Sequence, residues 1–356
     1  MTRRRAIIES PVRWYFEIGI TTNVSETETH PALPSDRESP VCCGGDDAHG
    51  CTQQTPDGAQ RPGPLDGCPT PLAWQQVLSA FREHSTPFSV QRAGYALHGR
   101  TLGSGPPLYL LCGMGGTADS YCLVAYLLRD LFRCVVFDYP GTFKAVHPCR
   151  RVTRESLRDD LLAVANQQGD RQFSLFATSF GGLVALEAML ATPDRITRTV
   201  LQGAFARRQL SFAERVLVRL GGFLPGRLKS LPGSQAVQEQ NHRRWFPALD
   251  ATRWQFFTDD AGQVPIQSMA RRGAIIRDTD LRPMLAQIQQ PTLLIQSEGD
   301  GLVTRGCHEA LARGLPHAEV AWMHSAGHLP HLTSPHRLAK FLRDFLLPAQ
   351  PPVIEQ

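Results

Sequence analysis

Short apolar runs alternate with amphipathic stretches along the chain from about residue 72 onward. Runs of about five apolar or β-branched residues, bounded by Gly, Pro or polar residues, are typical of buried strands. The predicted strands are LYLLC (108–112), CVVFD (134–138), FSLFA (173–177), TVLQG (199–203), TLLIQ (292–296) and EVAWM (319–323). Helical patterns lie between or after them, at about 118–130, 156–167, 180–190 and 335–346. This alternation predicts an α/β fold whose mostly parallel sheet carries helices on both faces.

The alternation stops between residues 205 and 285. This stretch holds amphipathic pieces such as SFAERVLVRLGGFL and an aromatic-rich polar run, NHRRWFPALDATRWQFF. Because predicted strands stand on both sides of it, we interpret residues 205–285 as a helical insertion. Residues 71–204 and 286–350 then form the core domain.

Residues 1–70 differ from the rest of the chain. The stretch 21–70 contains no Phe, Trp, Tyr or Ile and is rich in Pro, Gly, Thr, Asp and Ser. Such a composition buries too little apolar surface to offset the entropy of ordering, so we expect a largely disordered extension. Its thiols and imidazole match none of the paired-cysteine zinc spacings, and we expect no metal there. These residues are Cys42, Cys43, His49, Cys51 and Cys68.

Composition excludes several classes of protein. The formal net charge is +4 over 356 residues, which is too small a bias to indicate a nucleic-acid partner. No apolar run reaches the roughly 18–20 residues of a membrane span. The nine cysteines are scattered over a long chain, as is typical of free thiols in a reducing compartment, so we expect a cytoplasmic protein.

The segment Ala177-Thr178-Ser179-Phe180-Gly181 lies where a predicted strand passes directly into a helix. A sharp turn there would expose the Ser179 hydroxyl above the sheet, and the small residues at 177 and 181 relieve its crowding. The backbone amide of Phe180 opens the helix and would face a developing oxyanion. A serine at a helix N-cap is also common, but this context favours a nucleophile.

A second glycine-rich turn, Cys112-Gly113-Met114-Gly115-Gly116, follows the strand 108–112. The amide of Met114 is the predicted second oxyanion donor. The same turn also fits the dinucleotide-binding pattern G-x-G-x-x-A, with Asp138 about 25 residues further along. By itself the motif does not separate these two interpretations.

Asp300 follows the strand 292–296, and His328 follows the strand 319–323. Because the carboxyl ends of parallel strands meet at one edge of a sheet, Ser179, Asp300 and His328 are expected to converge there. Histidine would take the serine proton and the carboxylate would orient the imidazole. Glu298 and His324 are the weaker candidates for acid and base.

These motifs together resemble the α/β-hydrolase superfamily, over roughly residues 85–347. The resemblance rests on CGMGG (112–116), DYPG (138–141), ATSFGG (177–182), SEGDGLV (297–303) and AGH (326–328). It departs from the usual family pattern at Ala177, at Cys112 in place of a histidine, and at Ser297 in place of a glycine.

Membership of that superfamily implies a serine nucleophile, a covalent acyl-enzyme and no cofactor. It also implies that the insertion is a helical cap, with Trp245 and Trp254 as candidate pocket residues. The expected activity is that of a carboxylesterase-like serine hydrolase acting on a small-molecule acyl substrate. The sequence leaves open the substrate and the oligomeric state.

Two alternatives remain. A fainter resemblance to maspardin-like members, in Gly116–Asp119 and Asp138–Pro140, would make the chain a non-catalytic binding or scaffold protein. A nicotinamide-dependent oxidoreductase is the other alternative, based on the glycine pattern. However, that pattern follows an earlier β-like region, 88–100, and it leaves the serine, acid and histidine without a role.

Overall fold

The computed structural model describes residues 73–143 and 152–347. The expectations for residues 1–70, including those for Cys42, Cys43, His49, Cys51 and Cys68, lie outside this part of the chain.

An eight-stranded sheet forms the centre of the molecule, with the strand order β1-β2-β4-β3-β5-β6-β7-β8. β1 and β2 form an antiparallel hairpin, β2 pairs antiparallel with β4, and the remaining neighbours are parallel. The predicted α/β fold with a mostly parallel sheet is therefore confirmed. The strands are Thr86–Arg92 (β1), Tyr95–Leu102 (β2), Pro107–Leu111 (β3), Arg133–Phe137 (β4), Phe173–Thr178 (β5), Ile196–Gln202 (β6), Thr292–Ser297 (β7) and Ala318–Met323 (β8).

The central strands are buried on both faces, which explains why their sequences are continuously apolar rather than alternating. Every residue of β7 is buried, and so are four of the five residues of β3. Helices cover the sheet in two groups: α3 packs on α4, while α2 packs on α1 and α11. The core helices are Trp74–His84 (α1), Cys122–Leu128 (α2), Arg154–Gln167 (α3), Phe180–Ala191 (α4), Arg305–Gly314 (α9), Pro330–Thr333 (α10) and Pro335–Leu346 (α11).

Four further helices lie between β6 and β7, where the sequence predicts the helical insertion. They are Phe212–Gly221 (α5), Ser234–His242 (α6), Ala251–Gly262 (α7) and Ile266–Asp278 (α8). Helix α5 packs on α8, with Val218 of α5 lying against Gly273 of α8. We call this segment the helical insertion below.

Most element boundaries differ from the sequence prediction by one or two residues. The largest differences are at α2, which begins at Cys122 rather than about 118, and at β6, which begins at Ile196 rather than 199 and ends at Gln202. It ends there because Gly203 adopts a φ of +52°, which takes the chain out of the extended conformation. Within residues 73–143 and 152–347, no helix is long and apolar enough to cross a membrane.

Candidate active site

Ser179 lies on the turn between β5 and α4. Its backbone has φ 51° and ψ −117°, a region that residues other than glycine rarely adopt. The turn fits only because Gly181 packs against β3: a Cβ there would lie 2.5 Å from the carbonyl oxygen of Leu111. The strained backbone holds Ser179 at the wall of a cavity above the carboxyl edge of the sheet.

His328 and Asp300 form a buried hydrogen-bonded pair. The Nδ1 atom of His328 lies 2.7 Å from Oδ2 of Asp300, with the side chains 8% and 1% exposed. The other oxygen, Oδ1, accepts hydrogen bonds from the amides of Leu302 and Val303 at 2.9 and 3.0 Å. Burial alone would raise the pKa of Asp300, but His328 and these two amides outweigh it and hold that pKa below its ordinary value. Asp300 is therefore ionised and aimed at the imidazole.

The end of β6 closes the space behind this pair. A Cβ added to Gly203 would lie 2.9 Å from Oδ2 of Asp300 and 3.3 Å from Nδ1 of His328. The acid and the imidazole are thus packed against backbone.

The glycine turn after β3 lies beside Ser179. A Cβ at Gly113 would be 3.7 Å from the Cβ of Ser179. The buried guanidinium of Arg272 donates hydrogen bonds to the carbonyl oxygen of Met114 and to Oγ1 of Thr142, so the helical insertion holds this turn in place. The pairing of the Met114 and Phe180 amides as oxyanion donors beside Ser179 remains a prediction.

Cys112, which stands where the family usually has histidine, is buried. Burial raises the pKa of its thiol well above the ordinary value, so the side chain stays neutral. Its sulfur lies 3.5 Å from the carbonyl oxygen of Thr117, inside the same turn. Cys112 therefore packs the turn and adds no charge to it.

A cavity of about 200 Å³ joins these groups. Ser179, His328, Gly113 and Met114 line it from the core. Side chains of the helical insertion line it from the other side, among them His242, Phe257, Asp260, Ala261 and Met269.

The two tryptophans predicted for the pocket are not among the residues lining this cavity. The ring of Trp245 lies against the backbone of Gly299 and Gly327, on the loops that carry Asp300 and His328. Trp254 is buried with Phe246 and Phe257 inside the helical insertion, at ring-centroid distances of 5.1 and 5.5 Å. Of this aromatic group, Phe257 reaches the cavity.

His242, at the end of α6, is a cavity residue that the sequence analysis missed. Its ring is 5% exposed and stacks beside that of His328, with centroids 6.1 Å apart. Its Nδ1 atom has no hydrogen-bond partner among the residues that the structure describes. Burial, and then the neighbouring charge of His328, lower the pKa of His242 to about 3, so it is neutral. The sequence indicated Ser179, Asp300 and His328 because each follows a predicted strand, and no strand precedes His242.

A pair of half-buried carboxyls lies behind the glycine turn. Asp260 accepts hydrogen bonds from Oγ1 of Thr117 at 2.7 and 2.9 Å, and Asp138 accepts one from the amide of Ala118 at 2.9 Å. Burial, and then the nearby acidic groups, raise the pKa of Asp260 to about 7; burial is also the main cause that raises the pKa of Asp138 to about 6. Because the Asp138 carboxylate is already bonded to the backbone amide of Ala118, it is poorly placed to bind the ribose of a dinucleotide.

The weaker candidates lie at the surface. Glu298 and His324 are 60% and 75% exposed, and their nearest side-chain atoms are 3.8 Å apart. The Glu298 carboxylate accepts a hydrogen bond from the amide of Ser325. Neither residue lines the cavity.

Residues 106–335, more than half of the chain, match the family model described as the alpha/beta hydrolase fold. The chain belongs to the α/β-hydrolase family. A relative in Agrobacterium fabrum, RutD, provisionally named a carbamate hydrolase, is 28% identical over 72% of this chain and 98% of its own length. RutD of Stutzerimonas stutzeri, named in the same way, is 27% identical over 71% of this chain and 96% of its own.

Solved structures of other proteins share the fold of this α/β-hydrolase. An enol-lactonase from Burkholderia xenovorans LB400 has a TM-score of 0.63 at 23% identity, covering 73% of this chain and 99% of that chain. An esterase from Thermogutta terrifontis has a TM-score of 0.62 at 21% identity, covering 74% and 97%. At these identities the likeness establishes the fold alone.

Proposed function

We propose that this α/β-hydrolase is a serine hydrolase that cleaves a carboxylic ester or a related acyl compound, with Ser179, His328 and Asp300 as its triad. The observation that carries the proposal is the 2.7 Å contact between His328 and Asp300 beside the strained turn that presents Ser179. A non-catalytic binding protein has no need for an ionised, buried carboxylate bonded to an imidazole. The geometry therefore favours catalysis.

The proposed reaction has two steps. In the first, the Ser179 hydroxyl attacks the acyl carbon while Nε2 of His328 takes its proton. Asp300 accepts a hydrogen bond from Nδ1–H of His328, so Nε2 is the unprotonated nitrogen that acts as the base. The same carboxylate stabilises the imidazolium that forms. The amides of Met114 and Phe180 hydrogen-bond to the oxyanion of the tetrahedral intermediate. His328 then gives its proton to the leaving oxygen or nitrogen, which departs and leaves an acyl group on Ser179.

In the second step, His328 takes a proton from water, and the resulting hydroxide attacks the acyl-enzyme. The tetrahedral intermediate collapses, the proton returns to Oγ of Ser179, and the acid product leaves. The balance requires only the substrate and one water molecule, and no cofactor.

The cavity supports a small acyl group. Its volume of about 200 Å³ is enough for a short acyl group beside Ser179. The helical insertion acts as a cap in this proposal, since its side chains close the cavity opposite Ser179. Carbamates enter the test beside esters because the RutD relatives carry that name.

The test is labelling of the full chain with a fluorophosphonate, followed by peptide mapping, together with hydrolysis of 4-nitrophenyl esters of increasing acyl length and of a phenyl carbamate. We expect one adduct, on Ser179, and the fastest turnover with the shortest acyl groups. Ser179→Ala should remove both the adduct and turnover.

Ser325→Ala is the matched control, because Ser325 also has a positive φ, 53°, but lies outside the triad. It should be labelled and should turn over like the parent. Full turnover in folded Ser179→Ala, or an adduct on another residue, would remove Ser179 from the mechanism.

A further inference from the structure

Helix α5 of the insertion exposes its apolar face. Only Gly221 of this helix is buried. Phe212, Val216 and Leu220 follow one another at intervals of one helical turn and are 75%, 38% and 55% exposed. Phe223, just beyond the helix, is 70% exposed. The spacing of four residues places these side chains on one stripe. In an amphipathic helix of a globular protein, such a stripe normally faces the core.

The opposite face of α5 holds the helix on the protein. Val218 lies against Gly273 of α8, and Gly221 lies close to Ala270, where an added Cβ would be 3.1 Å away. The carboxylate of Glu214 points the same way: it lines the cavity and binds Arg208 at 2.7 Å. Because Val218, Gly221 and Glu214 attach one face of α5 to the protein, the apolar stripe on the other face points to solvent.

Positive charges border the stripe. Arg215 and Arg219 are exposed and one helical turn apart. Within the described ranges neither forms an ion pair, whereas the acidic Glu214 is neutralised by Arg208. An outward apolar stripe with unpaired arginines on its border is typical of a helix that lies in a lipid interface. The apolar side chains enter the acyl region while arginine side chains reach the phosphates.

We propose that the α5 face, defined as Phe212, Val216, Leu220, Phe223, Arg215 and Arg219, docks on an anionic lipid bilayer. The charge on its border selects a negatively charged surface over a neutral one. Since Glu214 on the inner side of the same helix lines the cavity, docking would place the lipid surface next to the cap.

Co-sedimentation of the full chain with lipid vesicles tests the proposal. The vesicles contain either phosphatidylcholine alone or equimolar phosphatidylcholine and phosphatidylserine. We expect binding to the mixed vesicles, weakened by salt, and little to the neutral ones. Phe212→Ser combined with Phe223→Ser should lower the partition coefficient at least tenfold, because it removes the two aromatic side chains that lipid would bury. Arg215→Gln combined with Arg219→Gln should lower it about tenfold, and only on the anionic vesicles.

Two controls keep these losses specific. Leu249→Ser removes another fully exposed apolar side chain, outside the α5 face. Arg305→Gln with Arg313→Gln removes two arginines that are 76% and 73% exposed on α9. Both should bind vesicles like the parent. Because all these positions are exposed, the variants are expected to fold, which the melting temperature verifies.

Three results would overturn the proposal. The first is no binding of the parent to anionic vesicles, or equal loss in the α5 and control variants. The second is a concentration-dependent dimer, seen by light scattering, that Phe212→Ser with Phe223→Ser dissociates, since a second copy would then be the occupant. The third is hydrogen-exchange protection of residues 212–223 in the vesicle-free monomer that is stronger than the backbone hydrogen bonds of α5 explain. Another part of the chain would then cover the α5 face.

Discussion

The imidazole rings of His242 and His328 lie side by side, with centroids 6.1 Å apart and planes inclined by 27°. One ring belongs to the proposed triad and the other to the helical insertion. Both line the cavity, but they differ in their partners: His328 is bonded to Asp300, whereas Nδ1 of His242 has no partner within the described part of the chain. The His242 ring lines the cavity beside His328, so it is placed to contact a bound substrate.

His242→Phe should therefore raise KM about threefold to tenfold, with a smaller change in kcat, because a hydrogen bond to a neutral group contributes about 1 kcal/mol. His242→Gln, which can still donate and accept, should recover part of the loss. Steady-state kinetics on the best substrate of the ester series measures both.

The matched control is His308→Phe. His308 is also buried, 6% exposed, and its Nε2 has no hydrogen-bond partner among residues 73–143 and 152–347, but it packs on Trp322 away from the cavity. A change in its melting temperature without a change in KM is the expected result. Equal effects on KM from both variants would show that His242 acts through stability and not through substrate.

Asp300→Asn should lower kcat by about 10³- to 10⁴-fold, by loss of the charge that orients His328 and stabilises the imidazolium. The neighbouring acid gives the control: Glu298→Gln removes a carboxylate that is 60% exposed and does not line the cavity, and it should keep parent turnover. If Glu298→Gln were the impaired variant, the acid of the triad would have to be reassigned.

The sequence prediction of Ser179, Asp300 and His328 as a triad rests on a single physical rule. Each follows an apolar run short enough to be a strand, and parallel strands bring their carboxyl ends to one edge. The structure places Asp300 and His328 in contact there and Ser179 on the wall of the same cavity.

Cavity residues of the helical insertion such as His242 and Met269 escaped prediction, because no such rule applies to the helices of the insertion. Its helices are tied to the core by tertiary contacts, such as Arg272 on the Met114 carbonyl, that leave no periodic mark in the sequence. The resemblance to the α/β-hydrolase superfamily made Trp245 a candidate pocket residue, yet its ring lies against the backbone of Gly299 and Gly327. Because these two residues are far from Trp245 in the sequence and the contact depends on their lacking a Cβ, no local pattern indicates it.

Gly203→Ala tests how tightly the triad is packed. The new Cβ would lie 2.9 Å from Oδ2 of Asp300, so the acid or the imidazole must shift, and we expect kcat to fall at least tenfold. Positive φ adds a separate cost in stability.

Gly94→Ala separates the two effects. Gly94 has a φ of +91°, but no atom of the described residues lies within 4 Å of an added Cβ, so it carries the backbone strain without the clash. It should lose stability on thermal unfolding and keep kcat. Should both variants lose kcat alike, backbone strain and not displacement of the triad would be the cause.

Asp260→Asn is expected to change how stability depends on pH. The pKa of Asp260 is raised from 3.8 to about 7 in the folded protein, mainly by burial. Between those values the native state binds more protons than the unfolded state, so the free energy of unfolding falls as pH rises through this window. Asparagine removes that titration and keeps a carbonyl to accept from Thr117. The variant should therefore gain stability relative to the parent as the pH rises from about 4 to about 8.

Urea unfolding at a series of pH values measures the difference. Asp259→Asn, at an exposed position on the same helix, is the control and should run parallel to the parent. Parallel curves for Asp260→Asn as well would mean that water reaches this carboxyl and that its burial does not govern its ionisation.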